Sequence, residues 1–131
     1  MASGTIPRTP TIPSGFVLLW TNSDPTSAFS AQSVPVDLSS YDAVYIQFKY
    51  GTSATSWRTG MFALVDGNNY QAICMGDLTA SSASIITARY FDVLTTGINF
   101  EGGLTKKTTS TSAASSSNGS CIPYQIYGIK F

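Results

Sequence analysis

Residues 44–50 read Val44-Tyr45-Ile46-Gln47-Phe48-Lys49-Tyr50. Val44, Ile46, Phe48 and Tyr50 alternate with Tyr45, Gln47 and Lys49, the period of two that places one face of a strand in a core and the other toward polar surroundings. The same short, dense period extends in both directions. Upstream, Phe16-Val17-Leu18-Leu19-Trp20 is apolar on both faces and predicts a central strand, or one covered by a neighbouring subunit. Asn22 to Ser27 gathers turn formers around Asp24-Pro25 and predicts a reversal. A strand through Phe29, Val34, Val36 and Leu38 follows, which Pro35 confines to an edge or a bulge.

Downstream, Trp57 to Val65 and Tyr70 to Met75 flank Asp66-Gly67-Asn68-Asn69, which predicts a hairpin. Ala83 to Leu94 is rich in β-branched and aromatic residues, and Gly97 to Glu101 pairs back after Thr95-Thr96-Gly97. Residues 105–120, running from Lys106-Lys107 into a Ser/Thr-rich tract, offer little to bury and predict a mobile surface loop. In the closing stretch Cys121 to Phe131, Tyr124 and Ile126 share one face and Tyr127, Ile129 and Phe131 the other. Such a strand is expected in the middle of a sheet or at a subunit interface. No stretch keeps the three-and-four spacing of a helix. About eight short strands joined by turns predict an all-β fold, an antiparallel β-sandwich of jelly-roll type. It occupies residues 16–131 behind an extended arm, residues 1–15, in which Pro7, Pro10 and Pro13 recur every third position and Ile6 and Ile12 supply apolar docking groups.

Composition narrows the functions. The chain has 131 residues, 43% apolar but only 11% charged, against roughly a quarter charged in ordinary domains. Seven basic residues balance seven acidic ones, so no field of one sign exists to attract nucleic acid. The longest apolar run is too short to cross a bilayer as a helix, and the first residues lack the pattern of a secretory signal. Synthesis in a cytoplasm, without membrane insertion, is the expectation. There is no histidine, which removes Ser-His-Asp and Cys-His activation of a nucleophile. Cys74 and Cys121 match no metal spacing and read as small buried apolar residues. We expect no metal and no cofactor.

Paired carboxylates hydrolyse glycosides, but Asp37 and Asp42 flank the turn Leu38-Ser39-Ser40-Tyr41, where capping is their commoner role. Asp66 beside Gly67 reads the same way, and no context marks a Ser-Lys dyad. The expectation is a binding protein and not an enzyme. Trp57, Tyr70, Tyr90 and Tyr124 supply aromatic planes, and Asn68, Asn69 and Gln71 supply amides, a mixture suited to sugar rings and hydroxyls. Trp57, Arg58, Asn68, Asn69 and Tyr70 are the candidate ligand-binding residues, with Trp57-Arg58 foremost because the pair follows the polar stretch Gly51 to Ser56. Trp20, Tyr127, Ile129 and Phe131 are the candidate oligomer-interface residues.

Three segments carry a resemblance: Leu18-Leu19-Trp20-Thr21-Asn22-Ser23-Asp24-Pro25-Thr26-Ser27-Ala28-Phe29-Ser30-Ala31-Gln32, then Leu38-Ser39-Ser40-Tyr41-Asp42-Ala43-Val44, and finally Ile122-Pro123-Tyr124-Gln125-Ile126-Tyr127-Gly128-Ile129-Lys130. With them the chain resembles small β-rich proteins encoded among the tail and fibre genes of phages and prophages of gut Firmicutes. The resemblance covers the first third and the last ten residues, and carries over no catalytic or ligand residue. It implies a virion part, trimeric, whose constant ends build the scaffold and whose variable middle faces outward; together with the aromatic and amide residues, the expectation is a tail-fibre or appendage tip, associated with other virion proteins, whose outward loops bind a host surface carbohydrate. The alternatives are a capsid head-fibre or decoration protein with a structural role, and a glycan-active hydrolase domain.

Overall fold

The computed structural model describes residues 15–76 and 84–131, so the arm expected over residues 1–15 falls, apart from Gly15, outside the described residues. Ten strands follow one another in the chain: β1 (Phe16–Thr21), β2 (Gln32–Pro35), β3 (Ala43–Lys49), β4 (Arg58–Leu64), β5 (Gly67–Met75), β6 (Ile85–Leu94), β7 (Gly97–Phe100), β8 (Leu104–Lys107), β9 (Ser115–Ser116) and β10 (Ile122–Ile129). They form two antiparallel sheets. The first has the order β1-β10-β3-β4, and the second β2-β7-β6-β8-β9 with β5 on the other side of β6. The fold is therefore an all-β sandwich, with no helix among the described residues. A jelly roll is a narrower arrangement, which these strand orders do not establish.

The core lies where the inner faces meet. Val44, Ile46 and Phe48 of β3 and Ile126 of β10 face Phe91 and Val93 of β6 and Ile98 and Phe100 of β7, all buried. Phe48 stands 5.7 Å from Phe91 and 6.1 Å from Phe100, ring centroid to ring centroid, and Phe29 closes edge-on against Phe100 at 5.7 Å. The alternation that opens the sequence reading thus builds one wall of this core. β10 lies between β1 and β3, as its two apolar faces suggested, and Pro35 ends the outer strand β2.

Four expectations need correction. The strands number ten and not about eight, because β7 and β8 pair end to end along the same side of β6, and because Ser115–Ser116 forms a short strand of its own. β1 is an outer strand of its sheet and not a central one; Leu19 and Trp20 pack inward while Val17 and Leu18 stay about half exposed. β4 and β5 are not a hairpin, since β4 pairs with β3 in one sheet and β5 with β6 in the other. The turn residues behave as their chemistry requires, with Asp66 and Asn69 at φ of 65° and 60°. A register shift between Gly67 and Tyr70 bends the chain, so the connection is a corner between sheets. Finally, the Ser/Thr-rich tract does not run as one loop. Leu104–Lys107 pairs with β6, and Leu104 and Thr105 pair with Ser116 and Ser115.

The tract is anchored at its end by a buried cation. Arg89, fully buried on β6, sits where β7 gives way to β8, and every hydrogen bond it makes goes to a backbone carbonyl. Nε donates to Cys121 (2.8 Å), one terminal nitrogen to Glu101 (2.6 Å), and the other to Ser120 (3.0 Å) and Asn118 (3.3 Å). Its guanidinium carbon also stands 5.4 Å from the Phe29 ring centroid. Burial pulls its pKa down to about 10, so it keeps its charge at neutral pH. Gly103 makes the approach possible: a Cβ there would come within 2.1 Å of the Ser117 carbonyl oxygen and 2.9 Å of the Arg89 guanidinium.

Candidate functional site

The loop between β3 and β4 forms a cleft at one end of the sandwich. Tyr50 and Trp57 close the loop through the Tyr50 amide, which donates to the Trp57 carbonyl at 2.8 Å, and their rings meet edge-to-face at 5.7 Å. Between them Gly51, Thr52, Ser53, Thr55 and Ser56 line a space of about 400 Å³. The loop holds its shape through a hydroxyl and its own backbone. Ser53 Oγ accepts from the Thr55 amide at 3.3 Å, and the Ser56 amide donates to the Ser53 carbonyl at 3.1 Å. The cleft rests on the turn that Arg89 anchors, because the Cys121 amide donates to the Tyr50 carbonyl at 3.1 Å and the Gly119 carbonyl approaches Gly51.

Trp57 is 58% exposed, an unusual placement for the largest apolar side chain when so much of its surface faces water. An indole on the rim of a cleft lined with hydroxyls can stack on the apolar face of a sugar ring while the hydroxyls satisfy its edge. Arg58 is not part of the lining: its guanidinium lies over the Tyr124 ring at 4.3 Å, on the strand pair beside Lys49. Lys49 is itself buried and donates from Nζ to the Pro25 carbonyl; burial, and then the nearby Arg58, hold its pKa below the usual lysine value.

The other sequence candidates lie elsewhere. Asn68, Asn69 and Tyr70 follow the far end of β4, roughly 20 Å from Trp57 at ~3.3 Å per strand residue. The Asn69 amide donates to Asp92 Oδ1 at 2.7 Å. Tyr70 stacks on Phe91 at 5.4 Å, and its hydroxyl accepts from the Leu64 amide at 3.0 Å, so it braces the corner between the sheets. Tyr90 and Gln71 are cross-strand partners on the outer face of the second sheet, beside a shallow groove of about 190 Å³. Of the interface candidates, Trp20 is half-buried and packs edge-on to Phe29 at 6.2 Å, and Ile129 is buried. Tyr127 joins an aromatic cluster on the outer face of the first sheet, and Phe131 is 85% exposed.

A second cleft, about 330 Å³, is lined by Trp20, Asn22, Asp24, Phe29 and Gln32 among others. Its amides are already engaged: Asn22 donates to the Pro123 carbonyl and accepts from the Asp24 amide, both at 2.9 Å, and Gln32 turns back on Ser30. Of the two acids flanking the 38–41 turn, Asp37 caps it, whereas the Asp42 carboxylate binds the distant Phe131 backbone. Asp37 Oδ1 accepts from the Ser39 hydroxyl (2.6 Å) and amide (3.0 Å), which hold its carboxyl below the usual value, and Asp42 accepts from the Phe131 amide at 2.7 Å. Sequence reasoning missed that Tyr50, which packs partly against the core as alternation has it, also lines the cleft, and that the loop hydroxyls line it too; the polar run 51–56 before an aromatic was the available signal. A scan against protein-family models and searches of curated proteins and of solved structures return no match for this chain.

Proposed function

We propose that the chain is a structural module of a phage virion, on the tail or its fibres, which self-associates as a trimer and presents the 50–57 cleft to a host surface glycan without acting on it. The exposed Trp57 indole on the rim of a hydroxyl-lined cleft carries this reading. The setting in a virion rests on the resemblance of residues 18–32, 38–44 and 122–130. Self-association is supported by β1, an outer strand with Val17 and Leu18 about half exposed, and by exposed Phe131.

Trp57→Ala tests the cleft. The side chain is mostly in solvent, so the melting temperature should stay within a few degrees of the parent. Binding to the best ligand on an array of bacterial surface glycans should fall tenfold or more, about 1.4 kcal/mol or greater. A folded variant with unaltered binding removes the cleft from the reading. Light scattering on the purified chain should give a mass of three chains; a monomer at micromolar concentration contradicts self-association without bearing on the cleft.

A further inference from the structure

The outer face of the first sheet carries two apolar rows. Leu18, Tyr127, Tyr45 and Phe62 are successive cross-strand partners through β1, β10, β3 and β4, and Phe16, Ile129, Ala43 and Leu64 form the next row. Tyr45 and Phe62 meet at 4.9 Å, and Phe16 stands within 6.4 Å of Tyr45, Phe62 and Tyr127. What stays exposed lies at the two borders of the sheet: Val17 and Leu18 on β1, 45% and 46%, and Phe62 and Leu64 on β4, 61% and 56%. β1 and β4 are its outer strands, with no partner on their far sides among the described residues. Uncovered side chains and uncovered backbone therefore coincide on both edges.

The two edges are complementary to each other. The Lys130 amide donates to the Gly15 carbonyl, which turns the backbone of Gly15 and Val17 toward β10 and leaves the N–H and C=O of Phe16 and Leu18 pointing out of the sheet. On β4, the Tyr50 amide donates to the Trp57 carbonyl and the Val65 amide to the Asp42 carbonyl, so odd-numbered residues face β3 and the N–H and C=O of Gly60 and Phe62 point outward. Leu18 and Phe62 thus both offer free backbone groups while their side chains lie on the outer face. Residues that exchange two hydrogen bonds across an antiparallel sheet need that combination. Direction agrees as well. Four antiparallel strands leave β1 and β4 running opposite ways, so β1 of a second copy can follow β4 and continue the same sheet. Neither strand contains proline, lysine or an acid, and Arg58, at the start of β4, is drawn onto Tyr124. The register shift after Leu18 and the Tyr70 hydroxyl on the Leu64 amide bound the free stretch, which centres the contact on Leu18 and Phe62.

Like edges paired with each other would cover one exposed pair and leave the other in water. Head-to-tail pairing covers both with one kind of contact, and a contact of that kind closes into a ring. The four side chains leave roughly 100 Å² each in water. That is about half of the ~800 Å² per partner of a stable interface, before the two backbone edges and the rings of Phe16, Tyr45 and Tyr127 between them are counted.

We propose that β1 of one copy adds to β4 of the next, Leu18 beside Phe62, and that this contact, made three times, closes the trimer with the aromatic rows turned toward its axis and the second sheets outside. The proposal rests on the self-association in the proposed function and not on what the cleft binds. Every copy keeps the same direction along the strands, so the three 50–57 clefts open at one end of the ring, where a dense glycan surface engages them together.

Cysteine cross-linking in the folded full chain tests the contact. Within one copy Leu18 and Phe62 are three strand spacings apart, about 14 Å, beyond the ~7 Å that a disulfide spans between Cα atoms. A bridge between them therefore joins two copies. Leu18→Cys and Phe62→Cys chains, refolded together under reducing conditions and then treated with diamide, should give a covalent dimer, and each variant alone at least tenfold less. The double variant should give species of up to three chains and none larger. Phe62→Lys, at an exposed position, should keep a cooperative melting curve and raise the concentration for half-assembly tenfold or more. A bridge formed as readily by either single variant alone overturns the proposal in favour of like edges pairing. A mass of three chains by light scattering, with no bridge in the mixture or with assembly unaltered by Phe62→Lys, overturns it and leaves self-association standing. A parent chain that is monomeric removes both.

Discussion

Arg89→Met should lower the unfolding free energy by about 4 kcal/mol, read from urea denaturation of the full chain. Methionine keeps most of the stem's packing and removes the guanidinium. In buried ion pairs that tolerate apolar replacement, both partners are replaced together; here the partners are four backbone carbonyls, and they remain. Each acceptor left buried without a donor costs ~1–3 kcal/mol. Asn118 suffers least, because its carbonyl also receives the Phe29 amide at 2.8 Å. Arg89→Lys keeps the charge but gathers three donors on one atom, and should recover only part of the loss. Gly103→Ala should cost a similar amount by driving a methyl against the Ser117 and Ser120 carbonyls, and the double variant should lose less than the sum, since both changes release the same turn. A Met variant within 1 kcal/mol of the parent would show that water or a rearranged turn satisfies these carbonyls. Because that turn supports Tyr50 and Gly51, loss of Arg89 should also loosen the cleft beside Trp57.

What was legible in the sequence divides along physical lines. Strand existence follows from side-chain alternation, which is local, so β3, β6 and β10 and the Thr95-Thr96 turn lie close to where the pattern puts them. Sheet membership is not local. Asp66 to Asn69 has the same chemistry whether the next strand returns beside β4 or crosses to the other sheet, and only the partners Tyr70 finds, Phe91 and the Leu64 backbone, distinguish the two. The two-sided apolar character of 16–20 has a similar history. It suggested a central strand, yet one side belongs to the core through Trp20 and the other to the aromatic rows through Phe16 and Leu18. For the candidate site, Trp57 stood out because an aromatic follows a polar run. Arg58 looked equivalent beside it, but consecutive strand residues point to opposite faces, and its partner Tyr124 is 66 positions away. Arg89, whose nearest acid in sequence, Asp92, lies three positions along the same strand and so on the opposite face, gave no sign of its role.

Oxidising Cys74 and Cys121 to a disulfide should raise the unfolding free energy by about 4 kcal/mol. The two thiols belong to different sheets, Cys74 on β5 and Cys121 at the entry to β10, yet their sulfurs lie 3.7 Å apart in a hydrogen bond. Both are buried, and the Cys121 thiol, bonded to Cys74 and shut away from water, is pushed up in pKa and stays protonated. The hydrogen bond with Cys121 pulls the Cys74 thiol down, so Cys74 is the more acidic of the two. A thiol reagent should therefore label neither cysteine in the native chain and both in denaturant. With diamide present while the denatured chain refolds, the pair gives up two protons and two electrons to the reagent's nitrogen–nitrogen double bond, leaving one sulfur–sulfur bond and a hydrazine. Closure needs the sulfurs to approach from 3.7 Å to the ~2.05 Å of a disulfide. The cross-link then joins positions 47 apart and removes extended conformations from the unfolded chain. The oxidised monomer should unfold at a higher urea concentration than the reduced one, with the gain abolished by dithiothreitol and absent from Cys74→Ala. An oxidised monomer no more stable than the reduced chain would mean that closure strains the two sheets by as much as it constrains the unfolded state.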